Sequence, residues 1–563
     1  MYDDEKIILT NTAIIIKDYH LGDCVKLEHI FSVYDPVTHK FQRFAMLYDD
    51  KTNTLYIPSG VDMWKIMSYF NKKYFKRVTH HPYKRTITDI KLQHKPRDDR
   101  QVEALRFMCG ASEEYAENQN LPQLSLNLNT GAGKTYCSIA TIAFFKIKSI
   151  IITGSNTLLN QWKNEILHYT NIPEDRILQI SGSSMINMIF SGKSKKAANA
   201  DVYLCSHGTI RSYGDQFGWD KIYKLFEFLG IGLKFFDECH TNYENIMQID
   251  FFTNVFKTYY VTATPGRSSK FEDRIFQLSL KNVPSIDLFD KNGDPRTAYV
   301  ALKFNSKPTP QQVSACRNRV YGLDRMSYID YLVQQPAFYD ALRVIMDLVI
   351  KCKGRVLFYI GKNEAILTVY EWLGRYYPEF IGDIGIFCSL LDTKNKLLER
   401  EKKLLLTNTK SAGLGEHIEG LKMTIVLAEP FASPIIAKQT LGRTRDRNTM
   451  YIELVDVGFL YTKKYYSNKL PTFKEYATDV SDTYLDSYEL KRRSAIIQEK
   501  RDAKGYSPIF LQDDRFGIKT YNENEGNNTE SDDKIIPINN TSKPKYEYIG
   551  DNPFIRNIEN KKK

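Results

Sequence analysis

Cysteine is sparse and unpatterned in this 563-residue chain. Its eight cysteines (Cys24, Cys109, Cys137, Cys205, Cys239, Cys316, Cys352, Cys388) form no C-x-x-C and no Cys/His pair at zinc spacing. That argues against a disulfide or zinc framework and for reduced thiols. No apolar run approaches membrane-spanning length. The acidic start, Met1-Tyr2-Asp3-Asp4-Glu5-Lys6, has no hydrophobic signal region behind it, so a cytoplasmic compartment is expected. Neither sign of charge dominates: 78 Lys and Arg face 67 Asp and Glu, a net of +11. Such a surplus suits a polyanionic partner, but spread over this length it does not separate a nucleic-acid binder from an ordinary basic protein. Core-forming material is plentiful, with 42% hydrophobic residues, and the length calls for more than one domain.

Against that background one stretch carries definite chemistry. Asn129-Thr130-Gly131-Ala132-Gly133-Lys134-Thr135 follows the apolar run Leu124 to Leu128 and precedes the helical run Tyr136 to Phe145. Strand, Gly-rich turn, Lys-Thr and helix is the layout of a phosphate-binding loop. Gly131 and Gly133 let backbone N–H groups curl around phosphates, Lys134 reaches the β/γ-phosphates, and Thr135 offers its hydroxyl to Mg²⁺. The nucleotide expected is ATP. Leu128 stands where the full G-x-x-x-x-G-K-S/T pattern has its first glycine.

The segments around the loop read as a parallel α/β domain. Arg97 to Leu105 opens an amphipathic helix before the loop. Lys148 to Thr153, Asp201 to Cys205, Ile231 to Phe236 and Tyr259 to Val261 read as buried strands. Their ends carry polar groups (Gly154-Ser155-Asn156-Thr157, Ser206-His207-Gly208-Thr209, Asp237-Glu238-Cys239-His240, Thr262-Ala263-Thr264-Pro265), where open α/β sheets bind ligands. An Asp-Glu pair delivered beside a phosphate loop can hold Mg²⁺ through Asp237 and polarise the attacking water through Glu238.

Residues 1–92 read as a small α+β accessory domain and a candidate for DNA binding, with a hairpin across Asp49 to Thr54 and a helix over Val61 to Tyr74. Its basic, aromatic end (Lys72 to Arg77, His80, His81, Tyr83, Lys84, Arg85) suits either a phosphate backbone or a solvated face. The first α/β domain is placed at 93–305. A second, at 306–475, has strands at Arg355 to Ile360, Asp383 to Cys388, Leu404 to Thr407 and Met423 to Leu427. It has no phosphate loop but an arginine cluster, Arg443, Arg445 and Arg447. A helical extension is expected over 476–515, and a polar, disordered tail over 516–563.

These motifs, in this order from about 97 to 455, resemble those of superfamily 2 nucleic-acid helicases. The DExH-type box, the Gln161-Trp162 pair and the small N-terminal domain resemble the phage UvsW-like and XPB-like group. The resemblance implies two tandem RecA-like domains with ATP and Mg²⁺ in the cleft between them. It implies adenine reading by Gln101, strand phosphate contacts by Ser155, Ser206 and Thr409, and coupling through His240, Thr262, Thr264 and Gln439. It also implies γ-phosphate contacts by Arg443 and a second arginine. The pattern Q-x-x-G-R-x-x-R puts that second arginine at Asp446, so Arg445 or Arg447 takes its place. An acidic ribose contact is expected from Glu416, with His417 at the usual position.

The resulting expectation is an ATP-dependent DNA helicase or translocase acting on single-stranded, forked or branched DNA, with replication, recombination or transcription proteins as possible partners. An RNA helicase and a P-loop ATPase acting on a protein are the rivals. A Lys/Asn/Ile/Tyr-rich composition fits an AT-rich genome, and so a phage or large DNA virus in a host cytoplasm.

Overall fold

The computed structural model describes residues 7–35, 39–43, 46–61, 66, 68–69, 78–80, 83–128, 131–154, 156–239, 243–262, 270–288, 297–318, 322–391, 395, 398–412, 418–443 and 448–506. Most of the expected helix over Val61 to Tyr74, the run Lys72 to Arg77 and the tail over 516–563 lie outside them.

Near the N-terminus, β1 (Ile7–Leu9), β2 (Ala13–Ile16), β5 (Leu47–Asp49), β6 (Thr54–Pro58) and β7 (Val78–His80) form a sheet in the order β5-β6-β2-β1-β7. A separate hairpin pairs β3 (Ser32–Asp35) with β4 (Lys40–Arg43). The expected hairpin across Asp49 to Thr54 is the antiparallel β5–β6 pair. This sheet does not stand alone. Ile7, Ile14, Ile16, Leu55 and Ile57 share one apolar core with Phe251, Val255, Ile275 and Val283 of the next unit. Polar contacts lock the junction: Asn11 Nδ2 donates to the carbonyls of Val255 (2.7 Å) and Phe256 (3.1 Å), and Thr12 Oγ1 donates to that of Asp250 (2.8 Å).

The first large unit is a seven-stranded parallel sheet. Its strands are β8 (Gln123–Asn127), β9 (Ser149–Thr153), β10 (Ile177–Ile180), β11 (Val202–Ser206), β12 (Leu233–Asp237), β13 (Lys257–Thr262) and β14 (Ser285–Asp287), in the order β10-β11-β9-β12-β13-β8-β14. The apolar runs are continuous because helices cover both faces. Along β9, Ile150 and Ile152 enter one core cluster and Ile151 the other. That is the two-residue alternation of a strand.

The second unit repeats this plan. It holds β15 (Thr297–Phe304), β16 (Arg355–Ile360), β17 (Ile384–Phe387), β18 (Leu404–Thr407), β19 (Leu421–Ala428), β20 (Thr449–Asp456) and β21 (Val480–Tyr484), in the order β17-β18-β16-β19-β20-β15-β21. Both sheets and their flanking helices are those of tandem RecA-like domains.

Two expected boundaries move. β15 pairs with β20 from Thr297↔Thr449 to Phe304↔Asp456, so this strand, expected in the first domain, belongs to the second. Its apolar alternation shows a strand but not which sheet it joins. Beyond 475 the expected helical extension contains helix Ser487–Asp502, preceded by a strand of the second sheet. β21 pairs with β15, and helix Ser487–Asp502 is tied down by Ser494 Oγ to Asp340 Oδ1 (2.6 Å) and Arg501 Nη2 to the Tyr376 carbonyl (2.9 Å).

Candidate active site

The site begins where β8 runs out. Gly131 and Gly133 take φ of 80° and 99°, the left-handed region, before helix Lys134–Phe145 starts. The φ of Gly133 favours glycine, and a Cβ there would lie 2.0 Å from Gln101 Nε2 and displace the end of that side chain. Ala132 is buried between them, Thr135 is half-buried in the first turn, and Asn129 and Thr130 lie outside the described residues.

Gln101 is brought to this loop from helix Asp99–Cys109. The Asp98 carboxylate caps that helix by accepting the Gln101 backbone N–H at 3.0 Å. The Gln101 side chain accepts from the Arg97 backbone at 2.7 Å and donates to the Ala132 carbonyl at 3.2 Å. In this structure it braces the loop.

β12 delivers the carboxylates. Lys134 Nζ stands 3.4 Å from Glu238 Oε1, with both side chains largely buried. Asp237 Oδ1 accepts the Glu238 backbone N–H (3.0 Å), and Oδ2 accepts the indole N–H of Trp162 (2.8 Å). Burial, and then the charge of Glu238, push the Asp237 carboxyl up to about 6. Lys134 and the two N–H donors pull the other way without cancelling them. Two carboxylates and one ammonium leave a negative surplus that a divalent cation would relieve. The oxygen donors, the Asp237 carboxylate and the Thr135 hydroxyl, are those Mg²⁺ prefers while it keeps several waters. Among the described residues no three or more His, Cys, Asp or Glu gather as a metal cage.

Thr262 ends β13, buried, and its carbonyl accepts the Leu128 N–H at 3.0 Å, joining that strand end to the loop. Ser206 ends β11 and caps helix His207–Phe217 by accepting the Thr209 N–H at 3.3 Å. Burial pushes the neighbouring His207 imidazole down to about 4, so it is neutral at pH 7. Ser155, His240 and Thr264 lie outside the described residues.

In the second unit Thr409 follows β18, but its donors point inward. Its N–H lies 3.2 and 3.0 Å from the two Glu429 oxygens and its hydroxyl donates to the same carboxylate. Glu429, just past β19, is buried, with Arg325 Nη2 at 3.8 Å. Gln439 lies on helix Pro434–Leu441 and Arg443 just beyond it, both buried. The Arg443 charge acts on Tyr359 of β16. Glu416, Arg445 and Arg447 lie outside the described residues.

The structure therefore gathers Gln101, the loop, Lys134, Asp237 and Glu238 at one sheet end and keeps Thr409, Gln439 and Arg443 in the other unit. Sequence reasoning missed two participants. Trp162 was visible only as half of a Gln-Trp pair, since nothing local links it to an aspartate 75 residues away. Glu429 had a usable signal: it ends an apolar strand as Asp237 does.

Comparison with known proteins adds three findings. Residues 93–267 match the family model of the type III restriction enzyme res subunit. The putative DNA 3'-5' helicase Rad25 of Haloarcula marismortui is 27% identical over 148 residues, 26% of this chain. The matched stretch spans 21% of that relative's length. Among solved structures, S. cerevisiae Dbp5 bound to RNA and ADP BeF3 is similar at TM-score 0.43 and 16% identity, over 71% of this chain and 97% of that one. T4 UvsW is similar at TM-score 0.32 and 13% identity, over 85% and 99%.

Proposed function

We propose that this chain, which carries a superfamily 2 helicase-type ATPase domain, couples ATP hydrolysis to unwinding or remodelling of duplex or branched DNA. The observation that carries the reading is the Lys134–Glu238 approach at 3.4 Å beside Asp237, at the end of a glycine loop. Lys134 binds the β/γ-phosphates. Thr135 and Asp237 would hold Mg²⁺, which when bound neutralises charge on the phosphates. Glu238 orients and polarises the attacking water. Gln101 exchanges its bond to the loop carbonyl for the adenine edge. Phosphate binding is also assigned to Asn129 and Thr130, and the ribose contact to Glu416.

Arg443, with Arg445 or Arg447, completes the γ-phosphate contacts from the second unit. His240, Thr262, Thr264 and Gln439 couple that closure to strand movement, and Ser155, Ser206 and Thr409 contact the strand. Thr409 must first release Glu429. DNA as the substrate is supported by the restriction-enzyme family and by the name of the archaeal relative. The Lys/Asn/Ile/Tyr-rich composition supports a phage or viral source.

The test is steady-state ATP hydrolysis with no nucleic acid, single-stranded DNA, forked DNA and RNA, using Glu238→Gln as the blank. Stimulation by DNA over RNA is the expected result. Stimulation by RNA alone would make the chain an RNA helicase, and indifference to both would point to a protein-directed ATPase.

A further inference from the structure

Resting on the ATPase reading above, we propose that Trp162 is a positioning residue that sets the metal affinity of the site through its hydrogen bond to Asp237. Trp162 is 3% exposed on helix Asn156–Tyr169, and its ring joins the apolar cluster beneath the loop. Packing alone would be met by a phenylalanine. What the indole adds is one polar atom, a donor with no acceptor capacity, aimed at Asp237 Oδ2 over 2.8 Å.

The carboxylate is held from its other side too. Glu238 takes φ 51°, unusual for a residue with a side chain, and in that conformation its backbone N–H donates to Asp237 Oδ1 at 3.0 Å. One donor per oxygen fixes a torsion that is otherwise soft, since the terminal sp³–sp² rotation of aspartate has broad wells. Among the described residues no further donor takes either oxygen, which leaves a second lone pair on each for a cation or its waters. Without the indole donor the carboxylate keeps, among the described residues, the backbone anchor alone and can swing away from the cation. Outer-shell hydrogen bonds of this kind are typically worth about 10- to 100-fold in metal affinity.

The test uses the full chain with two replacements. Trp162→Phe keeps a ring and removes the donor. Site-specific benzothienylalanine at the same position keeps the bicyclic shape and replaces only the N–H, so it decides the matter if the phenylalanine variant fails to fold. Binding of Mn²⁺ is followed by electron paramagnetic resonance at saturating ADP, and ADP binding is measured separately in EDTA. Both replacements are expected to weaken Mn²⁺ by about 10-fold while metal-free ADP affinity stays within about twofold. A merely structural tryptophan would disturb both together, or neither in the isosteric protein. Unchanged Mn²⁺ affinity in the isosteric variant overturns the proposal. A parent protein that binds no Mn²⁺ with ADP overturns instead the ATPase reading beneath it.

Discussion

The two seven-stranded units are wound in the same way, yet among the described residues their strand-end acids sit in different surroundings. Numbering positions across each sheet, the chain visits 6, 3, 1, 2, 4, 5 and 7 in both. Each fourth-position strand ends in an acid: Asp237 on β12 and Glu429 just past β19. Each unit also buries one lysine–carboxylate pair that a tyrosine hydroxyl completes. Lys234 meets Asp250 at 2.5 Å with Tyr260, and Lys469 meets Glu453 with Tyr299. The difference lies in what surrounds the strand-end acid. Glu429 is consumed by the Thr409 N–H and hydroxyl, with Arg325 nearby. Asp237 is crowded by a second carboxylate and has one lysine for two negative charges. After the sixth-position strand, the first unit opens a glycine loop. In the second, Asp456 closes the turn by accepting the Ser306 N–H (3.0 Å) and hydroxyl (2.5 Å). A frame used twice thus leaves its polar groups unsatisfied by one another at one strand end and pairs them off at the other.

The comparison breaks most sharply if the paired acids are exchanged for amides. Glu238→Gln should lower ATP turnover by about 10²- to 10⁴-fold, the range for loss of a general base. Lys134→Ala should do the same by removing the phosphate contact. Glu429→Gln should leave turnover within about tenfold and instead cost the fold roughly 2 kcal/mol through weakened charge-assisted bonds. Single-turnover hydrolysis and urea unfolding, run side by side, separate these outcomes. A Glu429→Gln enzyme as dead as Glu238→Gln would mean that the second acid is chemical after all.

Arg443 sharpens the same contrast, because the second unit is expected to reach the γ-phosphate with arginines rather than with its strand-end acid. Arg443→Ala should reduce kcat by about 10³-fold, as for arginines that stabilise a transferring phosphoryl group. Nucleotide affinity should hold within a few-fold. Equal losses in kcat and in ATP affinity would make the arginine a ground-state binder.

The buried pairs probe the frame rather than the site. Lys234→Met and Lys469→Met should each destabilise by about 3–5 kcal/mol, since each strands a carboxylate away from water. Chemical denaturation should show each loss in its own unit. The Lys234 change is expected to loosen the N-terminal sheet as well. Ser59, just past β6, donates to Gln123 (2.8 Å), which donates to Tyr260 (2.8 Å), which donates to Asp250 (2.6 Å).

How much of this could be read from the chain follows from how local each signal is. The phosphate loop was legible because strand, glycines, lysine and helix are contiguous. So was the Asp237-Glu238 box, because four buried strand residues, Leu233 to Phe236, lead into it. The edge strands β21, β14 and β7 were not. β21 is Val-Ser-Asp-Thr-Tyr, mostly exposed, and β14 is only three residues long, so neither shows the apolar pattern that marks a strand. β7 lies beside a basic run and pairs in parallel with β1, which comes some seventy residues earlier. The docking of the N-terminal sheet was hidden for the same reason, since Asn11 finds its partners 243 to 245 residues away. The repeated winding order could not be read at all. Sequence shows which runs are strands, and only pairing shows their order.

The smallest expected effect tests whether crowding at Asp237 is real. Its carboxyl is raised from 3.8 to about 6, so the folded protein holds that proton more tightly than the unfolded chain does. The stabilising effect of the proton is complete below about pH 4 and is lost as pH rises through about 6. Above that, the ionised carboxylate costs the metal-free protein about 1–2 kcal/mol, allowing for its partial exposure. Asp237→Asn removes this charge but also mismatches one of two N–H donors, so its absolute stability is not the useful number. The useful number is the difference between variant and parent, measured by denaturation in EDTA at pH 4.5 and pH 7. It should shift in favour of the variant by about 1–2 kcal/mol between the two. No such shift should accompany Thr409→Val, which touches the second unit's acid without changing any charge. A flat difference for Asp237→Asn would mean that Lys134 and the two N–H donors already balance the carboxylate, and that the first unit's acid is as settled as the second's.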